Sequence, residues 1–164
     1  MKAYLSGGME NAPELGRAWR DEMAAWLDNQ LGHSVFNPVE MQNETLTAEE
    51  VENFRGWRFN QRVQFKLAVR KLIKRDLDVI ENEIDYVICY WDETVLKGGG
   101  THGEVTLAHR MGIPVYLVMN MPFDDVSSWI LGCCEGEFAS FLDLKQFLME
   151  EYSCLLYTSP SPRD

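Results

Sequence analysis

Residues 98–104 read Gly-Gly-Gly-Thr-His-Gly-Glu, a stretch that brings one carboxylate, Glu104, to the head of a helical segment straight after three glycines. Two uses fit that arrangement. Thr101 and Glu104 stand three residues apart, the spacing of a capping box, in which each side chain bonds the other's backbone N–H. Glycines also let the backbone approach a ligand closely, and Glu104 would then be a catalytic carboxylate. The surrounding elements discriminate between the two.

Residues 2–8, KAYLSGG, form a β-like run ending in Ser6-Gly7-Gly8. A helix is expected over 13–31, with Leu15, Ala18, Trp19, Met23, Trp26 and Leu27 on one stripe and Gly32 as its stop. Residues 33–38 make a second short strand closed by Asn37-Pro38. Helical sequence follows over 47–82, opened by a Thr47/Glu50 capping box and broken near Gly56. Its aromatic residues Phe54, Trp57, Phe59 and Phe65 are expected in the core. Residues 85–91, DYVICYW, are a near-continuous apolar run of the kind found in central parallel strands. A helix over 101–111 and a buried strand over 113–119 come next. A short helix at 127–132, an edge strand and a terminal helix within 138–152 complete the pattern.

Strands alternating with helices predict an α/β fold: a doubly wound, mostly parallel five-stranded sheet with helices on both faces, flavodoxin-like or Rossmann-like. Ligands of such sheets bind beyond the carboxyl ends of the strands. Ser6, Gly7 and Gly8, then Asn37, then the loop from Gly98 to Glu104 all lie at such ends. They are expected to converge on one crevice, which favours a site role for Glu104. Tyr4 and Trp91 could flank a planar ligand there or simply fill the core. Asp92 could touch ligand or face solvent. His102, Gly100 and Thr101 share the glycine-rich loop with Glu104; His33 and His109 read as structural or exposed. Lys97 beside the glycines could meet a phosphate or stand solvated.

The chain has 164 residues, enough for one domain with a real core. With 46% hydrophobic and 25% charged residues it is ordinary for a globular protein. Its net charge of −11 argues against a nucleic-acid backbone or an anionic membrane surface as principal partner. The cysteines, Cys89, Cys133, Cys134 and Cys154, form no CxxC pair. They read as buried free thiols, and neither a disulfide framework nor a metal site is expected. That usage points to a reducing compartment. The start lacks the apolar run of a signal peptide, no segment is apolar enough to span a membrane, and a cytoplasmic location follows as the expectation. Residues 1–153 are expected to form the single domain. Residues 154–164, CLLYTSPSPRD, resemble the translation of a sequencing adapter and are excluded from fold reasoning.

Taken in order, YLSGGM near the start, FNP closing the second strand, RDLDVIENEIDYVICYW and GGGTHGEVTLAHRMGIPVYLV resemble the nucleoside 2-deoxyribosyltransferase family, in particular its small phage- and bacterial-type members. The resemblance spans most of residues 3–131. It implies that Glu104 is a nucleophile and that Asp76 assists the leaving base. It implies Tyr4, Ser6, Gly7, Gly8, Asn37, Trp91, Asp92, Gly100, Thr101 and His102 as substrate contacts, with Asp125 near the position of a residue the family contributes from a neighbouring subunit. It further implies a homo-oligomer, small-molecule partners (a nucleoside or nucleotide and a free nucleobase), and no cofactor. One departure stands out. The family's loop carboxylate, a few residues ahead of the nucleophile, is replaced here by glycine, and the nearest acidic residue is Asp92.

The chemistry implied is N-glycosidic cleavage. Positive charge develops on C1′ and the ring oxygen, and a carboxylate can stabilise it or bond to C1′. The departing base needs a proton, which a second carboxyl of raised pKa can give. Placement in the first turn of a helix would favour the ionised form of Glu104. Two further readings share the fold: a hydrolase of (deoxy)nucleoside monophosphates, with water as acceptor, and a nucleotide-sensing module without turnover.

Overall fold

The computed structural model describes residues 1–156. Five strands form one sheet: β1 (Lys2–Gly7), β2 (Ser34–Phe36), β3 (Tyr86–Trp91), β4 (Val115–Met119) and β5 (Gly136–Phe138). All pairings are parallel and the spatial order is β2-β1-β3-β4-β5. The direction of winding reverses between β1 and β3, which makes their carboxyl ends the switch point where such sheets bind ligands. The sheet expected as mostly parallel is wholly so.

Among the described residues seven α-helices accompany it: α1 (Arg17–Leu31), α2 (Gln42–Thr45), α3 (Ala48–Asn60), α4 (Arg62–Glu83), α5 (Gly100–Arg110), α6 (Ser128–Cys133) and α7 (Phe141–Leu156), with α2 and α3 stacked outside α4. The two-residue alternation of the strands divides the core into two layers. Ala3, Leu5, Tyr86, Ile88, Tyr116 and Val118 face α1 and α7, where they meet Met23, Leu27, Leu144 and Leu148. Tyr4, Val87, Cys89, Trp91 and Leu117 face the other way, against Val79 and Ile80 of α4, Val105 and Ala108 of α5 and Ile130 of α6. A third small cluster, Leu46, Phe54 and Ala68, holds α3 on α4. Among the described residues no helix is long and apolar enough to cross a membrane.

Several local expectations change. The first helix begins at Arg17, because residues 13–16 form a 3₁₀ turn in which Glu14 and Leu15 adopt left-handed φ of 47° and 60°. Leu15 and Ala18 therefore leave the buried stripe, and its polar member Arg20 enters it. The break in the long helical region falls at Gln61 (φ −136°, ψ 62°) and not at Gly56. A helical glycine costs only about 1 kcal/mol, less than the packing of Phe54 and Trp57 on α4 returns. Phe54 is buried, but Phe59 on the opposite side of α3 is 83% exposed and is not core. The Thr47/Glu50 capping box forms with both reciprocal bonds. At the carboxyl end the α7 backbone stays helical to Leu156, so the segment set aside from 154 begins inside a helix; residues 157–164 lie outside the described residues.

Candidate active site

Glu104 is the fifth residue of α5, whose N-cap is Gly99. The Thr101–Glu104 capping box does not form: the cap has no side-chain bond, and Thr101 lies inside the helix. Nor is Glu104 in the first turn, so the helix dipole, which fades beyond that turn, is not what holds it as an anion. Two hydroxyls favour the anion instead. Tyr4 donates to Oε1 at 2.9 Å and Ser6 donates to Oε2 at 2.5 Å. Both come from β1 at alternate positions, so the strand's period of two aims them at the same helix. Tyr4 is fully buried and stacks on Phe36 at 5.3 Å, which fixes its ring. Burial pushes the Glu104 carboxyl above its usual range, while the Ser6 and Tyr4 hydroxyls, Arg20 and Arg75 pull it back. Tyr4 itself is held neutral, first by burial and then by the negative charge of Glu104 and Asp76.

Asp76 projects from α4 into the same cleft as Glu104. Burial, reinforced by the negative charge of Glu104, pushes its carboxyl up to about 7 against the opposing pull of Arg75. Arg75 binds a single oxygen of it: Nε and Nη2 donate to Oδ1 at 2.8 and 2.5 Å. The Tyr4 hydroxyl also pulls the Asp76 carboxyl down, in the same direction as Arg75. Arg75 is anchored in turn by the Thr45 hydroxyl and lies over the Phe36 ring. The two carboxyls are thus differently equipped, one solvated by hydroxyls and the other poised to be neutral near pH 7, the pattern that separates a nucleophile from an acid.

The cleft has a volume of about 260 Å³. Phe54, Phe65, Val69 and Leu72 give it an apolar wall from α3 and α4, and Arg55 and Gln42 stand at that wall, bonded to each other at 3.3 Å. Gly7 and Gly8 line the opposite side, and Gly98, Gly99, Gly100 and Thr101 the floor near Glu104. Gly8 is required by contact: a Cβ there would sit 1.8 Å from the Thr94 hydroxyl oxygen. Thr94 is itself fixed, since its N–H and hydroxyl both donate to Asp92 Oδ1 at 2.9 and 2.5 Å.

The residues singled out from sequence fall into three groups. Glu104, Asp76, Gly7, Gly8, Gly100 and Thr101 line the cleft. Tyr4 and Ser6 lie behind it and act on Glu104. The rest lie elsewhere. Trp91 is fully buried with its ring edge on His102 at 4.9 Å, a core contact that leaves neither residue in the cleft lining. Asn37 is buried and its Oδ1 accepts from the Val39 N–H, closing the turn after β2. Asp92 closes the turn after β3. Asp125 is exposed in a 3₁₀ turn away from the cleft, and Lys97 is not in its lining. Sequence reasoning passed over Arg20, Arg75, Arg55 and Gln42. Arg75 stands next to Asp76, a neighbour relation visible in the chain; the others have no local signal, because long-range folding alone brings them in.

A parallel 2-1-3-4-5 sheet with a cleft at its switch point is a doubly wound architecture that hosts many unrelated chemistries, so the side chains of the cleft, and not the fold, carry any functional reading. Two of the solved structures that share the fold are as follows. One is a 2-deoxyribosyltransferase from Bacillus psychrosaccharolyticus, with 21% identity, a TM-score of 0.57, and coverage of 88% of this chain and 90% of that one. The other is a CMP N-glycosidase from Clostridium botulinum, with 17% identity, a TM-score of 0.50, and coverage of 90% and 98%. No family model matches the sequence, and no curated protein matches it either.

Proposed function

We propose that this protein is an enzyme that transfers 2-deoxyribose between nucleobases through a covalent glycosyl-Glu104 intermediate. The observation that carries the reading is the convergence of two unlike carboxyls on one cleft: Glu104, its two oxygens bonded by Tyr4 and Ser6, and Asp76, raised to about 7. In the first half-reaction a Glu104 oxygen forms a bond to C1′ as the C1′–N bond breaks. The electron pair of that bond leaves with the base, and the Asp76 proton neutralises it. In the second half-reaction an incoming base attacks C1′, the ester bond to Glu104 breaks, and Asp76 recovers a proton from the incoming nitrogen. The apolar wall of Phe54, Phe65, Val69 and Leu72 suits a planar base, and the glycines of residues 98–100 allow the sugar to lie close to the backbone.

A second reading has its own support. The glycine-rich floor carries no carboxylate, and the amides at the start of α5 together with the Thr101 hydroxyl favour an anionic group over a free 5′-hydroxyl. In that case the substrate is a nucleoside 5′-monophosphate and water takes the place of the second base. One experiment separates the readings. The protein is incubated with each deoxynucleoside and each monophosphate, with and without a second free base, and products are resolved by chromatography. Exchanged base supports the transferase, released base with a monophosphate supports the hydrolase, and binding with neither overturns both in favour of a sensor.

A further inference from the structure

Arg20 of α1 is fully buried and, among the described residues, has no carboxylate partner. Its guanidinium donates to backbone carbonyls alone. Nε bonds Leu5 O at 3.2 Å and Nη2 bonds Gly7 O at 2.9 Å. Nη1 reaches Gly8 O, Leu15 O and Gly16 O at 3.3, 3.1 and 3.0 Å. The chain is shaped to permit this. Glu14, Leu15 and Gly16 are three successive left-handed residues, with φ of 47°, 60° and 70°, and that turn brings two carbonyls to Nη1. A Cβ on Gly16 would stand 2.5 Å from Nη1. Backbone in that region is strained for residues other than glycine, and a buried, unpaired cation is costly. Neither feature is needed merely to join a strand to a helix.

The carbonyls that Arg20 grips explain its use. Leu5 and Gly7 flank Ser6, whose hydroxyl holds Glu104 Oε2. Gly7 and Gly8 form one side of the cleft. The guanidinium's charge, unmatched by any ion pair, acts on Glu104 across the same turn. Burial lowers the Arg20 pKa to about 10 and the negative charge of Glu104 opposes that fall, so Arg20 stays protonated at neutral pH.

We propose that Arg20 is a positioning residue for the Glu104 nucleophile: it clamps the β1 turn on both sides of Ser6, and its buried charge adds to the hold of Ser6 and Tyr4 on the carboxylate. This rests on the reading of Glu104 given above. The other titratable groups that act on Glu104 are Tyr4 of β1, Cys89 of β3, and Arg75 and Asp76 of α4. Of the two cations that act on Glu104, Arg75 is already bonded to Asp76 and Arg20 is bonded to backbone carbonyls.

The test reads Glu104 directly. The side-chain carboxyl carbon of Glu104 is followed by NMR as a function of pH in the parent protein, Arg20→Gln and Arg20→Lys, without substrate. Arg20→Gln is expected to raise the Glu104 midpoint by a unit or more and to move the acid limb of kcat/KM by the same amount. Turnover below that limb then falls about tenfold or more. Arg20→Lys keeps the charge but not the five-bond fork, so its midpoint rises by less than that of Arg20→Gln while its Tm falls. An unmoved midpoint in Arg20→Gln overturns the proposal. So does a parental midpoint in Arg20→Lys, which would leave the clamp without effect on Glu104 and decides the matter even where Arg20→Gln fails to fold. Failure of the nucleophile reading is distinguishable, because it appears as surviving turnover in Glu104→Gln and leaves these titrations as they are.

Discussion

Tyr4 and Glu104 lie 100 residues apart in the chain, yet the Tyr4 hydroxyl donates to Glu104 Oε1 at 2.9 Å, so the first strand orients the carboxylate presented by the fifth helix. Ser6, two residues along the same strand, holds the other oxygen. The site is built on this cross-brace, and the expected outcomes below follow from it.

Glu104→Gln keeps the shape of the side chain and removes its charge. Its amide oxygen still accepts from Tyr4, and the rotatable Ser6 hydroxyl can turn to accept from the amide N–H. Stability should change by about 1 kcal/mol, the size of one ordinary hydrogen bond. Turnover should fall by orders of magnitude, since an amide neither attacks C1′ nor stabilises the developing cation well. Mass spectrometry of the parent protein with a 2-fluoro-2-deoxy nucleoside should find a sugar adduct on Glu104. Near-parental turnover in the Gln variant would remove the nucleophile.

Tyr4→Phe and Ser6→Ala each delete one donor to the carboxylate. A hydrogen bond to a charged group contributes about 1.5–3 kcal/mol, so each variant should lower kcat/KM roughly tenfold to a hundredfold near the acid limb. In both the acid limb should shift to higher pH, because the anion has lost a stabilising partner. Phe retains the stacking on Phe36, so thermal stability in Tyr4→Phe should move less than activity. A parental pH profile in both variants would show that neither hydroxyl tunes Glu104.

Asp76, raised to about 7, predicts an alkaline limb in kcat/KM near that pH, where the proton for the leaving base is lost. Asp76→Asn should abolish that limb and leave a low, flatter profile. A profile of the variant that still falls through pH 7 would assign the acid to another group.

The same group links folding to pH. Between its usual value of 3.8 and about 7, Asp76 holds a proton in the folded protein that it has released in the unfolded one. Its contribution to stability is therefore largest at low pH and declines as pH rises through that window. At about 1.36 kcal/mol per pKa unit the total has an upper bound of about 4 kcal/mol. The Tm of Asp76→Asn relative to the parent should climb from pH 4 to 7 and level off above it, as read by calorimetry. A difference that stays flat across this range would mean that Asp76 is ionised throughout.

Thr47→Ala offers a control remote from the chemistry. It removes the capping box at the head of α3 and should cost about 1 kcal/mol of stability. Turnover at a temperature well below the transition should not change, since neither Thr47 nor Glu50 lines the cleft.

The sequence by itself determined what depends on local pattern. Alternation and apolar runs placed four of the five strands, whereas β5 lies at Gly136–Phe138, ahead of nearly all of the segment expected to hold the edge strand; the spacing of apolar residues placed most of the helices. The order of turns put Ser6, Gly7, Gly8 and the loop before Glu104 at the carboxyl ends of parallel strands. The same local grammar misled where two readings share one spacing. Thr47/Glu50 and Thr101/Glu104 are both three apart, yet the first pair forms a capping box and the second does not. Glu104 is drawn off by Tyr4 and Ser6, partners that strand pairing delivers and no window of sequence contains. Trp91 and Phe59 show the same limit for burial: both are aromatic, but one is sealed under α5 and the other faces solvent. Arg20 marks the boundary most sharply. A lone arginine on a helix reads as a solvated side chain, and only the close approach of two turns, with five carbonyls pointing inward, turns it into the buried charge beneath the site. Periodicity is a property of neighbours along the chain, whereas the charge a carboxylate bears depends on what surrounds it in space.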